Sequence, residues 1–556
     1  MKKILLLVFS IYISSSVFAQ TKELSVRKEI TVAENGVSKK ISVTNQVTDI
    51  RQITADNTGN FQSYSGGNTN VRWSYADPVS LSDYCKVSSN GNYSIAGWDL
   101  NSERISLYNN LSAVPVWEFF SDPNVYLNYV AISDTGGIIA NGSYQNIYLF
   151  GNTNNSPTFN FDLTRLSDTG IASSLDLTAN GKFIVAGISR EDSSTIAGFS
   201  SSSTNPVWTK RFVPTVSTGG ASIQGVRISG NDSIVIVNTY AEFIVLNTFT
   251  GQQIYRGLIN PGNPGSGTQS EQGISGDGKL IATINYGGFL RVYQWNGTSY
   301  VFLFGNQEPP GAFVNWYTSV DISYDGQYVA AGTLNFISSS TLDGKVKVFK
   351  SSNGGTPVWT YSGCGDEVSA LSFSKSGNIL SASSWGEFSH STEDLYIFKT
   401  FAGGTPIYKL NTPGSLFYCN TSDDGRTVIA GGKGVHARQF GMGGLLYNIE
   451  VDTSDNPVSV NNISSDIKGF ELYQNYPNPF NPFTKIVYDL NSNIQSKVKL
   501  SVFDILGNEV VTLVNEKQSA GRHEAELDGS RLSSGIYFYK LTAGNFSDTR
   551  KLILLK

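Results

Sequence analysis

The stretch SVDISYDGQYVAAG, residues 319–332, decides the fold. It reads as a short alternating strand ending at Ser323, a turn holding Asp325 and Gly326, and a second strand rich in Val and Ala. Alternation with a period of two is the mark of a sheet with distinct faces. Seven further stretches repeat the pattern: YCKVSSNGNYSIAG from Tyr84, YVAISDTGGIIANG from Tyr129, SLDLTANGKFIVAG from Ser174, GVRISGNDSIVIVN from Gly225, QGISGDGKLIATI from Gln272, SALSFSKSGNILSAS from Ser369 and YCNTSDDGRTVIAGG from Tyr418. Each first strand closes on a hydroxyl: Ser88, Ser133, Thr178, Ser229, Ser275, Ser323, Ser374 or Ser422. The interval is 45 residues from Ser88 to Ser133 and 51 from Ser323 to Ser374.

Each unit continues with a third strand, as in ISLYNN from Ile105 or VKVFKS from Val346, and often a fourth, as in PVWEF from Pro115 or PVWTY from Pro357. Four short strands at this interval make one blade, and a lone blade cannot bury both faces, so the units stack around an axis. The expected fold class is therefore all-β: an eight-bladed β-propeller, with seven blades as the alternative, followed by a small Ig-like β-sandwich. Two fourth-type strands, VRWSYA from Val71 and LLYNIEV from Leu445, are candidates to close the ring, one of them being spare. In SYDG (Ser323–Gly326) and SDDG (Ser422–Gly425), side-chain oxygens can accept backbone N–H groups while Gly supplies a positive φ. These turns resemble those of WD-type repeats. TSDDGRT, residues 421–427, partly resembles the aspartate box of sialidases, a structural element there. NTFTGQQIYR from Asn247 and the PVW strands resemble the blades of pyrroloquinoline-quinone propellers. The Trp-docking motif of those enzymes is degraded here and no adjacent Cys pair exists, so no cofactor is expected.

The 556 residues carry only 15% charged side chains and a net charge of −5, which argues against nucleic-acid binding. Lys2 and Lys3 precede a short apolar run ending in Val17-Phe18-Ala19, the pattern of a signal peptide cut between Ala19 and Gln20. No later apolar run is long enough to span a bilayer, so no transmembrane segment is expected in the mature chain. The expected order is a signal peptide over 1–19, an N-terminal extension over 20–70, the propeller over 71–452, a polar linker over 453–469 and a C-terminal domain over 470–556.

That last segment reads FELYQNYPNPFNPFTKIVYDL from Phe470, VKLSVFDILGNEVVTL from Val498, AGRHEAELDGSRLSSGIYFYKL from Ala520 and TRKLILLK from Thr549. The succession resembles the C-terminal sorting domain of type IX secretion cargo, itself similar to an Ig-like sandwich. The resemblance implies export across the outer membrane, recognition of residues 470–556 by the type IX secretion machinery, and a secreted or cell-surface location in a Bacteroidetes-like host.

No GxSxG, HExxH or phosphate-binding loop is present. The weak catalytic candidates are Glu387 and His390, in a loop with Glu393 and Asp394, together with Asp366 and Glu367; a solvated polar loop is the plainer reading, and no metal site is expected. The connections between second and third strands, and from fourth to first, carry the insertions and open on one face. Trp98, Trp316, Tyr317, Phe336 and Trp385 are the aromatic candidates for holding an extracellular carbohydrate or protein there, with packing between blades as the alternative. Of three cysteines, Cys85 and Cys419 hold equivalent places in the first and last units; they read as two buried thiols or a possible disulfide clasp.

Overall fold

The computed structural model describes residues 30–34, 37–41, 70–453 and 471–555, apart from short segments within the last two spans. The signal-peptide region with Ala19 and Gln20, and the linker, lie outside the described residues. The chain divides into two units, Met1–Thr453 and Ser454–Lys556. In the first, Ile30–Glu34 and Val37–Ile41 form a hairpin. Eight propeller-like antiparallel sheets of four main strands follow, between Val71 and Glu450. We number them by their innermost strands: Ser80–Val87, Asn128–Ile132, Ile171–Leu177, Ile223–Ile228, Gly273–Ile274, Trp316–Ile322, Val368–Phe373 and Ser415–Thr421. Each inner strand packs against the next, and the eighth packs against the first.

The ring closes through the chain's early strand. Val71–Asp77 is the outermost strand of sheet 8, paired with Gly444–Glu450, which is that sheet's third strand. Both candidate closing strands are thus used, and neither is spare. Trp73 reaches from this strand into sheet 1, where its indole donates to the Asn110 carbonyl at 3.1 Å and its ring lies 5.1 Å from Tyr108.

The repeated hydroxyl is the local anchor of every unit. It accepts the N–H five residues on in all eight turns, at 3.0 Å for Ser88, Ser323 and Ser422 and at 3.2 Å for Ser229. Asp325 and Asp424 accept the N–H of Gln327 and Arg426, and Gly326 and Gly425 take φ of 70° and 75°. The turns then bond to one another around the ring: Asn90 N–H to Asp134 O, Asp134 N–H to Ala179 O, Gly276 N–H to Tyr324 O, and finally Asp423 N–H to Ser89 O. Asp232 breaks the pattern. It stands where the other turns have Gly, holds φ at 62°, and its carboxylate accepts the Ala179 N–H at 2.9 Å. The side chain replaces the carbonyl that serves elsewhere, and Asp is among the few residues that tolerate this backbone region.

A second set of bonds protects the inner edge. An innermost strand leaves alternate N–H groups unpaired toward the axis. Residues two before the anchoring hydroxyl supply acceptors to the next sheet: Asp176 to Ile228 N–H, Asp321 to Phe373 N–H, Ser372 to Thr421 N–H and Asn420 to Val87 N–H, at 2.7–3.0 Å. The last of these crosses the closure. The cysteines do not form a clasp. Both are buried free thiols, each directed at the preceding sheet: Cys85 donates toward Tyr418 O at 3.8 Å and Cys419 toward Ala370 O at 3.6 Å. Pointing the same way round the ring, they do not face each other.

The second unit has a three-stranded sheet with Phe483–Leu490 at its centre and a four-stranded sheet ordered Glu509–Glu516, Val498–Phe503, Gly535–Ala543, Phe546–Leu554. Both contribute to one core, including Ile486, Tyr488, Leu500, Tyr539 and Leu552.

The closing strand yields a direct expectation. Trp73→Ala, which empties a buried site at the seam, should cost about 3–5 kcal/mol in urea unfolding. Val207→Ala, on an outer strand with an exposed side chain, should stay within about 0.5 kcal/mol.

Candidate functional site

Inner strands run from the insertion-bearing loops toward the anchoring turns, so the loops surround one end of the axis. Among the aromatic candidates, position along the strand decides exposure. Trp98 lies within the second strand of sheet 1, fully buried, with Arg104 4.9 Å above its ring and Tyr75 5.3 Å away. Tyr317 is also fully buried, its hydroxyl donating to Asn306 at 2.6 Å, and Phe336 is buried as well. These three are packing residues, because strands inside a sheet are covered on both faces by neighbouring sheets. Trp316 and Trp385 are half-buried, at the start of one strand and just beyond the end of another.

Trp316 belongs to a row of rings. Tyr286 lies 4.6 Å from it, Phe336 meets it edge-on at 5.5 Å, and Phe313 meets Phe336 at 5.7 Å. The loop carrying Phe313 is held firmly. Glu308 is buried and ion-paired with Lys345 at 3.0 Å and with Lys347, while Asn315 accepts the Phe336 N–H at 2.8 Å. Beside the row, Val314 and Ile337 are 53% and 58% exposed.

Trp385 belongs to a charged group formed by sheets 7 and 8. Arg438 lies 5.2 Å over its ring and grips Asp366 with two bonds at 2.7 and 2.8 Å. His436 donates from Nε2 to Gly386 O at 3.2 Å and accepts the Arg438 N–H at Nδ1. Burial lowers the His436 pKa, against the pull of Asp366, so the ring is neutral at pH 7. Glu367 is pushed up to about 7 by burial, with Arg438 opposing. His436 lies in the loop between Lys433 and Gly444. The Glu387 carboxylate accepts from Ser389 and Ser391, bracing its own loop. His390 donates its backbone N–H to Glu387 O and takes φ of 54°. Asp366 and Glu367 do share a region with Trp385, but Asp366 is occupied by Arg438.

One group escapes sequence reasoning. Asp99 is buried, its Oδ1 accepting the backbone N–H of Asn128 at 3.0 Å and its side-chain N–H at 3.2 Å, with the Asp83 carboxyl as a neighbouring like charge. Burial raises both carboxyls, Asp99 well above the usual range, and pushes Lys433 down to about 8. These residues come from sheets 1 and 8, neighbours only once the ring closes. Among the described residues, no group of three His, Cys, Asp or Glu side chains is placed to hold a metal ion.

Residues 474–555 match the family described as the secretion system C-terminal sorting domain. The chain therefore carries a type IX secretion sorting domain, which indicates export and an extracellular or cell-surface position and implies interaction with the secretion machinery. No helix among the described residues is long and apolar enough to cross a membrane. Sqt1 of Saccharomyces cerevisiae is similar in structure at 11% identity, with a TM-score of 0.51 over 69% of this chain and 99% of that one. The Cps50 (Swd1) β-propeller domain of Myceliophteria thermophila aligns at 12% identity and TM-score 0.41, over 56% of this chain and 96% of that one. The Sqt1 likeness bears on fold alone, that of a WD40-like propeller. No curated protein matches.

Glu367 gives a signed expectation. A carboxyl held near 7 in the fold opposes folding once it ionises, so its contribution to stability falls as pH rises from about 4.5 to about 7. Glu367→Gln should therefore gain up to about 3 kcal/mol on the wild type at pH 8 relative to pH 4, read by urea unfolding at both pH values.

Proposed function

We propose that the protein is a ligand-binding or adhesion module, presented outside the cell, whose loop face holds a carbohydrate or a protein. In this reading the eight sheets are the blades of an eight-bladed propeller over 71–452, and the tail is an Ig-like sandwich. The signal peptide ends at Ala19, and the sorting domain directs export and surface attachment. The observation that carries the proposal is the pair of half-buried rings Tyr286 and Trp316 with Phe313, backed by the buried Phe336 and braced by Glu308 and Asn315, with apolar Val314 and Ile337 exposed beside them. Rigid aromatic surface costs little entropy to use, and it stacks on sugar rings or fills apolar pockets. Trp385 with Arg438, and Phe388 at 62% exposed, supply a second patch.

A second reading, a hydrolase or lyase acting on polysaccharide, is favoured by one observation: the Asp83–Asp99 pair beside Lys433, whose displaced protonation suits acid–base work. The two readings separate in one set of assays. Glycan-array binding by the mature chain should fall at least tenfold in Trp316→Ala and in Trp385→Ala, with no turnover of any bound polysaccharide. Turnover that Asp83→Asn abolishes would establish the enzyme instead.

A further inference from the structure

The residues four before each anchoring hydroxyl sit at one level of the innermost strands, toward their loop ends, and they are unevenly distributed. Sheets 8, 1 and 2, which are consecutive around the ring, carry Tyr418, Tyr84 and Tyr129. Their rings form one arc, with Tyr84 4.8 Å from Tyr129 and 5.6 Å from Tyr418. Sheets 3, 4, 6 and 7 carry the small residues Ser174, Gly225, Ser319 and Ala370 at this place, and sheet 5 carries Glu271. Ring closure does not require the arc, since four sheets close with small residues at the same place.

Facing the arc is Glu271, from the segment that enters sheet 5. The Tyr418 hydroxyl donates to its carboxylate at 3.5 Å, the limit of a hydrogen bond, across sheets that are not neighbours. Glu271 fits there because Gly225 lacks a side chain: a Cβ on Gly225 would lie 2.8 Å from Glu271 Cα and 2.9 Å from its Cγ. Lys86 completes the group, its ammonium 4.9 Å from the centre of the Tyr418 ring. Arg227 and Asp321, one step further down, pair with each other, and Asp176 accepts backbone N–H groups, so these three are already engaged.

The chemistry selects a guest. A cationic ligand on the tyrosine arc would meet Lys86, and an anionic one would meet Glu271. A neutral polyhydroxylated ring suits both: its C–H face stacks on the arc, Glu271 accepts from its hydroxyls, and Lys86 donates to them. A hydroxyl set between Tyr418 and Glu271 would replace one long bond with two short ones. We propose that this throat is a subsite for a neutral sugar residue, the terminal unit of a saccharide whose remainder lies on the loop face. The inference rests on the carbohydrate form of the binding proposal.

The test uses the mature full chain on an array of neutral and acidic glycans, followed by titration of the strongest hit. Neutral glycans should bind. Glu271→Gln and Tyr84→Ala should each weaken binding at least tenfold, while Tyr84→Phe, which keeps the stacking face, should stay within about threefold. Gly225→Ala, whose Cβ would crowd Glu271 and the Asn238 side chain, should lower affinity with unchanged circular dichroism. If the throat variants bind like wild type while Trp316→Ala and Trp385→Ala lose binding, the throat proposal falls and the loop-face reading stands. Binding confined to acidic glycans overturns the throat proposal, and no glycan binding at all overturns it together with the carbohydrate form of the binding reading.

Discussion

An antiparallel sheet whose innermost strand faces an axis has an unpaired edge, and the first unit is organised around that edge. Each inner strand must place its free N–H groups against an acceptor or against water. Here the next sheet's N–H is met by Asp176, Asp321, Ser372 or Asn420, and the turns bond to one another beside them. These bonds link neighbouring sheets, so they are complete only if the last sheet meets the first. The Asn420 bond to Val87 and the Asp423 bond to Ser89 are the ones that closure makes possible.

Closure also explains the early strand. Val71–Asp77 precedes sheet 1 in sequence yet completes sheet 8, so the two ends of the repeat region are held by backbone pairing as well as by side chains. Trp73 then packs into sheet 1, which makes the seam continuous with the ordinary sheet-to-sheet core. The thiols are redundant in such a seam. Cys85 and Cys419 occupy equivalent places because their units are equivalent, and for the same reason they point alike instead of toward one another.

Much of this was legible in the sequence because it depends on period and turn chemistry. The alternation ending in a hydroxyl, and the Gly that follows, mark strand and turn locally, and the anchoring hydroxyls perform one task in every unit. The site was legible only in part. Trp98 and Trp385 look alike in sequence, but one lies inside a second strand and the other beyond the end of one, a difference of a few residues that separates core from surface. Tyr317 follows Trp316 directly, so the pleat turns it to the opposite face. His436 and Arg438 lie in a loop that carries no motif, and Lys433 lies far along the chain from Asp83 and Asp99, a distance that only closure removes.

A loop face can be a working surface only if the wheel beneath it is whole, so the closing strand is the place to measure. Hydrogen exchange read by mass spectrometry on the native protein should show the amides of Val71–Asp77 that pair with Gly444–Glu450 protected far beyond an unstructured peptide, while the alternate, outward-facing amides of this edge strand exchange. Exchange of 71–77 at the rate of an unstructured peptide, with 444–450 still protected, would mean the ring is open at that edge and would contradict the account.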